Sequence, residues 1–159
     1  MFNKVNELLE KYIGGQIFFT ELDKAVKFDT EILRQLIGKC KEEAGKDVLT
    51  IASGEIGLAM HNYNITIDFL VQGGLRFEPE RINLAPFADL IRGRKVAFID
   101  DSYFSGKTAQ VVKEAVEALG GIWVGTWVAY DGAKHKDEGV NALYRYYDHH
   151  DILGRPLKK

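Results

Sequence analysis

Apolar residues fall along this chain in two patterns, short unbroken runs and stripes at helical spacing. Phe2, Val5, Leu8, Leu9 and Tyr12 form a first stripe, closed by Gly14 and Gly15, and Gln16 to Leu22 reads as a short extended piece. Ile32, Leu33, Leu36, Ile37 and Cys40 form a second stripe, which Asp29 or Thr30 can cap, with a Lys- and Glu-rich solvated face opposite. Val48 to Ala52 is a run fit for a buried strand; it leads into Ser53-Gly54-Glu55-Ile56-Gly57 and then Leu58-Ala59-Met60, a strand–turn–helix unit. Ile65 to Val71, interrupted only by Asp68, is the next strand, broken by Gln72-Gly73-Gly74. Leu75 to Pro86 reads as irregular or hairpin structure, Phe87 to Ile91 as a helical turn, and Arg92-Gly93-Arg94-Lys95 as a basic turn.

The second half of the chain has the clearest pattern. Val96 to Ile99 is an apolar strand that Asp100 and Asp101 end. After a turn, Thr108, Val112, Ala115, Val116 and Leu119 recur at helical spacing, with Gln110, Lys113, Glu114 and Glu117 opposite, until Gly120 and Gly121 stop the helix. Ile122 to Tyr130 is almost wholly apolar, as a strand buried on both faces requires. Lys134 to Gly139 is a polar loop, Ala142 to Tyr147 alternates enough for a last strand at an edge, and Pro156 to Lys159 reads as a loose tail. Four candidate parallel strands alternating with helices predict an α/β fold, a doubly wound, mainly parallel sheet with flanking helices.

Composition narrows the class without naming a function. The 159 residues suit one domain, 1–159, with no repeat or linker. Hydrophobic residues at 46% and charged residues at 28% are those of a soluble globular protein, and a formal net charge of −2 gives no reason to expect nucleic acid as a partner. The one cysteine, Cys40, forms no internal disulfide and lies on an apolar stripe, so a core position and a reducing, cytoplasmic location are expected. No stretch reads as a signal peptide or is apolar for long enough to span a bilayer.

The chemistry gathers at residues 100–108. In an open parallel sheet the carboxyl ends of the strands form the ligand crevice, and a helix N-terminus there offers free N–H groups to an anion. Ser105 and Thr108 add hydroxyls, and Gly106 permits close backbone approach. Two adjacent acids do not suit a phosphate; they suit ribose hydroxyls, or a magnesium ion bridging to phosphate oxygens. Ser105-Gly106-Lys107-Thr108 is also the tail of a P-loop, but that motif's first glycine falls at Asp101, where an acid would point at the phosphates, so the triphosphatase reading fails. A plain βα turn with a capping serine would explain Ser105 and leave the acid pair unexplained.

Phe98-Ile99-Asp100-Asp101-Ser102-Tyr103-Phe104-Ser105-Gly106-Lys107-Thr108 resembles the phosphoribosyl pyrophosphate (PRPP) motif of type I phosphoribosyltransferases: apolar residues, two acids, three variable residues, then hydroxyl-Gly-x-hydroxyl. The resemblance extends over residues 45 to 131 and implies that family's fold, with a small hood for the base supplied by residues 1–44, residues 132–159 or both. It implies that Asp100 and Asp101 bind the ribose hydroxyls and, through them, Mg²⁺. It implies that Ser102, Tyr103, Phe104, Ser105, Gly106, Lys107 and Thr108 bind PRPP and its phosphate, residues 104 to 108 wrapping the 5′-phosphate. Ala52-Ser53-Gly54-Glu55 is similar to the family's pyrophosphate loop, with Glu55 a departure, since an acid repels pyrophosphate unless magnesium intervenes. Arg76 and Arg81 are candidates for a basic lid or are ordinary surface charges. Members acting on 6-oxopurines carry Asp at the position of Phe104, which argues against such a base here, although Lys107 is what those members often have. Tyr130 and Asp131, at the same carboxyl edge, are the candidate base pocket.

The function so implied is Mg²⁺-assisted transfer of phosphoribose from PRPP to a nitrogenous base, purine or pyrimidine, with release of pyrophosphate, and a homodimer is expected. The alternative is a non-catalytic PRPP- or nucleotide-binding regulator on the same fold, favoured by Ser102-Tyr103-Phe104, Glu55, the short lid and the lack of an evident general base. His149 and His150 lack partners at metal-ligand spacing, and His61 and His135 stand alone. Trp127 and Tyr130 read as core or wall, while Tyr103 and Phe104 lie in the ligand turn, where a ring could cover ribose or base.

Overall fold

The structure is a computed structural model and describes residues 30–53, 65–67, 84–133 and 135–148. At Ser53 and Asp101, as at residues 30–33 and 65–67, the description extends to the backbone alone. The first stripe, Asp29, Gly54 to Met60, Arg76, Arg81, His149, His150 and the tail lie outside it.

Among the described residues, five strands, β1 (Leu49–Ser53), β2 (Ile65–Ile67), β3 (Lys95–Tyr103), β4 (Ile122–Asp131) and β5 (Val140–Arg145), form one sheet in the order β2-β1-β3-β4-β5. Every adjacent pair is parallel. Helix α1 (Thr30–Ala44) precedes β1, a 3₁₀ turn (Ala85–Phe87) and the short α2 (Ala88–Ile91) precede β3, and α3 (Lys107–Ala118) joins β3 to β4.

Helices cover both faces. On one, Leu36 and Cys40 of α1 pack with Ala52, Ala97, Ile99, Trp127 and Ala129. On the other, Val112 and Val116 of α3 pack with Leu49, Ile51, Val96 and Phe98, joined by Leu84 and Ile91. The alternation along β1 and β3 assigns each residue to one layer, which is why these strands read as continuous apolar runs. Burial, with Glu43 adding repulsion, pushes the Cys40 thiol up to about 12, so it stays a protonated core side chain.

Helix α3 ends as the glycine pair dictates. Gly120 takes φ +82°; its N–H donates to the Glu117 carbonyl and that of Gly121 to the Val116 carbonyl, the paired bonds of a Schellman motif. Gly121 also has no room for a side chain, since a Cβ there would lie 2.6 Å from Val116 Cγ1 and 2.7 Å from Ile91 Cγ2.

Three features depart from the sequence expectation. First, β3 does not end at the acids. Asp100, Ser102 and Tyr103 remain in register with Val128, Tyr130 and Asp131, because the ten-residue β4 offers ladder partners that far. Second, β4 contains a bulge: Val96 pairs with Trp123 but Ala97 with Gly125, so Val124 is an extra residue. Trp123 therefore packs in the α3 layer and Trp127 in the α1 layer, although residues four apart in an unbroken strand share a face. Third, the last strand is Val140–Arg145 and gives way to a 3₁₀ turn, Tyr146–Asp148, two residues earlier than the alternation suggests. It runs parallel to β4 after a connection of residues 132–139 only, shorter than the dozen or so residues usual for a crossover. This is possible because β5 starts beside Thr126, midway along β4.

Candidate functional site at the carboxyl edge

Between β1 and β3 the strand order reverses, with β2 outside one and β4 outside the other. In open α/β sheets the crevice at such a point is the usual ligand site. Ser53, the last residue of β1, and Asp100 of β3 stand at this edge. Ala52 lies one step inside, paired with Ile99 and fully buried. Asp100 and Ser102 are half-buried within the ladder.

Past Tyr103 the chain turns through Phe104 and Ser105 to Gly106, whose φ of +80° requires a glycine, and enters α3 at Lys107. No side chain caps the helix at Gly106; the Lys107 N–H lies 3.4 Å from Ser105 Oγ, and the Gly106 carbonyl accepts the Gln110 N–H at 2.9 Å. The first turn, with Lys107 exposed and Thr108 and Ala109 half-buried, presents the positive dipole end of a 12-residue helix. Tyr103, Ser105, Gly106 and Lys107 line a cavity of about 470 Å³ with Gln110, Val111 and Asp137. Thr108 is not among its lining residues, and Phe104 turns elsewhere, edge-on to Tyr130 with ring centroids 6.1 Å apart.

Asp137 is a residue the sequence reading passed over as part of a polar loop. Its Oδ2 accepts the Tyr103 hydroxyl at 2.5 Å and its Oδ1 accepts the Gly139 N–H at 2.9 Å. The Tyr103 bond is the main reason its carboxyl is held below the usual carboxylate range, and burial followed by that same bond pushes the Tyr103 phenol up. The signal in the sequence was Asp-x-Gly, an Asx turn that fixes a carboxylate rather than leaving it loose.

The second cluster lies at the ends of β4 and β5. Tyr130 is buried and stacks on Tyr144 at 5.8 Å. Asp131 is fully buried; its Oδ1 accepts the Ala133 N–H at 3.0 Å and its Oδ2 has no hydrogen-bond partner. Burial raises the Asp131 carboxyl, against the opposing pull of that N–H and of Arg145, its register partner on β5. Arg145 Nε, Tyr147 hydroxyl and Trp127 Nε1 are also buried without partners, so all four such side-chain atoms among the described residues belong to β4, β5 and the turn after it. An unpaired buried polar atom costs roughly 1–3 kcal/mol, so this clustering needs an explanation.

Among the described residues, no three His, Cys, Asp or Glu side chains gather into a metal cage, and no helix is long and apolar enough to cross a membrane. His135 is exposed. No protein-family model matches the chain, and no curated protein matches it in sequence.

Proposed function

We propose that this chain is a PRPP-dependent phosphoribosyltransferase of the type I kind. One juxtaposition carries the reading. A strand bearing Asp100 and Asp101, beside the point where strand order reverses, runs into a left-handed glycine and a helix N-terminus; these, though not the two acids, line a cavity large enough for a phosphate. The five-strand parallel order with helices on both faces supports the same reading.

In this reading the first turn of α3, with Ser105 and Lys107, holds the 5′-phosphate. Asp100 and Asp101 orient the ribose hydroxyls and favour positive charge developing at the anomeric carbon as pyrophosphate departs. The donor set fits Mg²⁺, which keeps most of its water and needs only one or two carboxylates beside phosphate oxygens. Asp100 and Asp101 would hold such an ion through the ribose hydroxyls, and it would supply charge neutralisation for pyrophosphate. The base is received near Tyr130 and Asp131 at the carboxyl edge; Asp131 is fully buried, so it would back the pocket rather than bond to the ring.

The second reading is a binder of the same ligand without turnover. Asp137 favours it, because a carboxylate on the cavity wall opposes phosphate. Calorimetric titration with PRPP and Mg²⁺, then pyrophosphate release against purine and pyrimidine bases, separates the two. Binding with release is expected; binding without release from any base selects the second reading. The double variant Asp100→Asn, Asp101→Asn is expected to fold and to lose Mg²⁺-dependent PRPP binding. Unchanged affinity in that variant would remove the motif assignment.

A further inference from the structure

Tyr103 stands so close over Gly106 that a Cβ there would collide with its hydroxyl. The ring therefore covers the backbone at which α3 begins, and its hydroxyl is held by Asp137 Oδ2 at 2.5 Å, the length of a charge-assisted O–H···O⁻ bond. Both residues line the cavity, beside Ser105, Gly106, Lys107 and Gln110. Asp137 rides on the connection between β4 and β5. That connection is pinned at both ends: the Gly132 N–H donates to the Tyr103 carbonyl at 2.8 Å, and the Gly139 carbonyl accepts the Thr126 N–H at 2.9 Å. Between the pins, His135, Lys136, Asp137 and Glu138 are exposed. The Asp137 carbonyl accepts the Val140 N–H at 3.1 Å, which holds its backbone, and two hydrogen bonds set its carboxylate.

We propose that Asp137 is the resident anion of the cavity: its carboxylate holds the Tyr103 hydroxyl until a ligand phosphate displaces it and takes that hydroxyl as a donor. The inference rests on the phosphoribosyl reading given above; it gives the hydroxyl of Tyr103, already placed at the phosphate, the role of donor, and adds Asp137 as an internal competitor. The competition follows from charge. An entering phosphate gains the helix N-terminus but meets a carboxylate on the same wall, and the two cannot share one phenolic proton. Rotation of the Asp137 side chain off the Tyr103 hydroxyl relieves the repulsion while the Asp137 carbonyl keeps its bond from the Val140 N–H. The site would thus discriminate by ligand charge: a neutral sugar cannot displace Asp137, and a phosphorylated one can.

The test is PRPP binding with Mg²⁺, by calorimetry, to the wild type, Asp137→Asn, Asp137→Ala and Asp137→Asn combined with Tyr103→Phe. Asp137→Asn keeps the shape and the acceptor and removes the charge, so affinity should rise about tenfold at low ionic strength, with the gain shrinking as salt is added. Asp137→Ala should tighten binding at least as much, and adding Tyr103→Phe should cancel part of the gain. If the wild type binds PRPP and neither Asp137 variant binds it more tightly, the competitor role is overturned while the functional reading stands. If no protein of the four binds PRPP, both are overturned.

Discussion

In its amino half β3 sets Val96, Ala97, Phe98 and Ile99 between two helical layers, none more than 1% exposed. In its carboxyl half the same strand, with the same ladder to β4, carries Asp100, Ser102 and Tyr103, all half-buried. The ladder to β4 runs through both halves, while that to β1 covers Val96 to Ile99; the side chains differ as well. Every side chain in the first half meets apolar neighbours of the fold itself. Beyond Ile99 the strand's groups meet polar partners across long stretches of sequence, as Tyr103 does Asp137, and beside it the end of β4 carries Asp131, whose Oδ2 has no hydrogen-bond partner. A sheet can hold such groups because its other half supplies the stability, and places where local rules fail in an otherwise consistent fold are where function is sought.

The largest effect that would sharpen this contrast comes from Phe98→Ala, at the largest fully buried side chain. Denaturant unfolding should show a loss of about 3–5 kcal/mol. PRPP affinity of the folded protein should be unchanged in the cold; a matching loss of affinity would mean that the halves are not separable.

Asp131→Asn should act in the opposite direction. Burial raises the folded-state pKa of this carboxyl above its unfolded value. Its favourable contribution is therefore present at low pH and is lost as pH rises from the ordinary carboxylate range through the raised value. Asparagine keeps the acceptor for the Ala133 N–H and cannot ionise, so the variant should be more stable than wild type at pH 7, by about 1 kcal/mol. The gap should close on acidification in paired thermal melts. A variant less stable at pH 7 would show that Oδ2 has a partner after all.

The smallest effect belongs to the solvated surface. Lys113 Nζ lies 3.9 Å from Glu117 Oε1 with both side chains about half exposed, and Lys113→Ala should change stability by no more than about 0.5 kcal/mol in the same melts. A larger loss would point to a role for Lys113 in holding Asp137, whose carboxyl it helps to keep ionised.

These contrasts also mark what was legible in the sequence. The run Val96 to Ile99 announced a buried strand because parallel strands covered on both faces need no alternation. Val112 and Val116 announced the inner face of α3, and Gly120 its stop, because helix spacing and left-handed glycine are local properties. The continuation of β3 through the acids was not legible, since it depends on how far β4 extends beside it. Nor was the bond between Tyr103 and Asp137, 34 residues apart, which exists because a short connection brings β5 in halfway along β4. The unpartnered group at Asp131 could be suspected from an acid ending an apolar run, but its burial could not.

The extra residue at Val124 has a consequence for how this site can change. Along β4 the in-and-out pattern of side chains is written in two phases, joined at Gly125, and every residue downstream keeps its face because of that single slip. Trp127, Ala129 and Asp131 therefore travel as a block. A substitution can alter any one of them, but a one-residue deletion near 124 would turn all of them over together, sending a tryptophan and a buried acid toward α3. The candidate base pocket is thus open to retuning letter by letter and closed to insertion or deletion, so variation in its specificity has to arrive as substitutions.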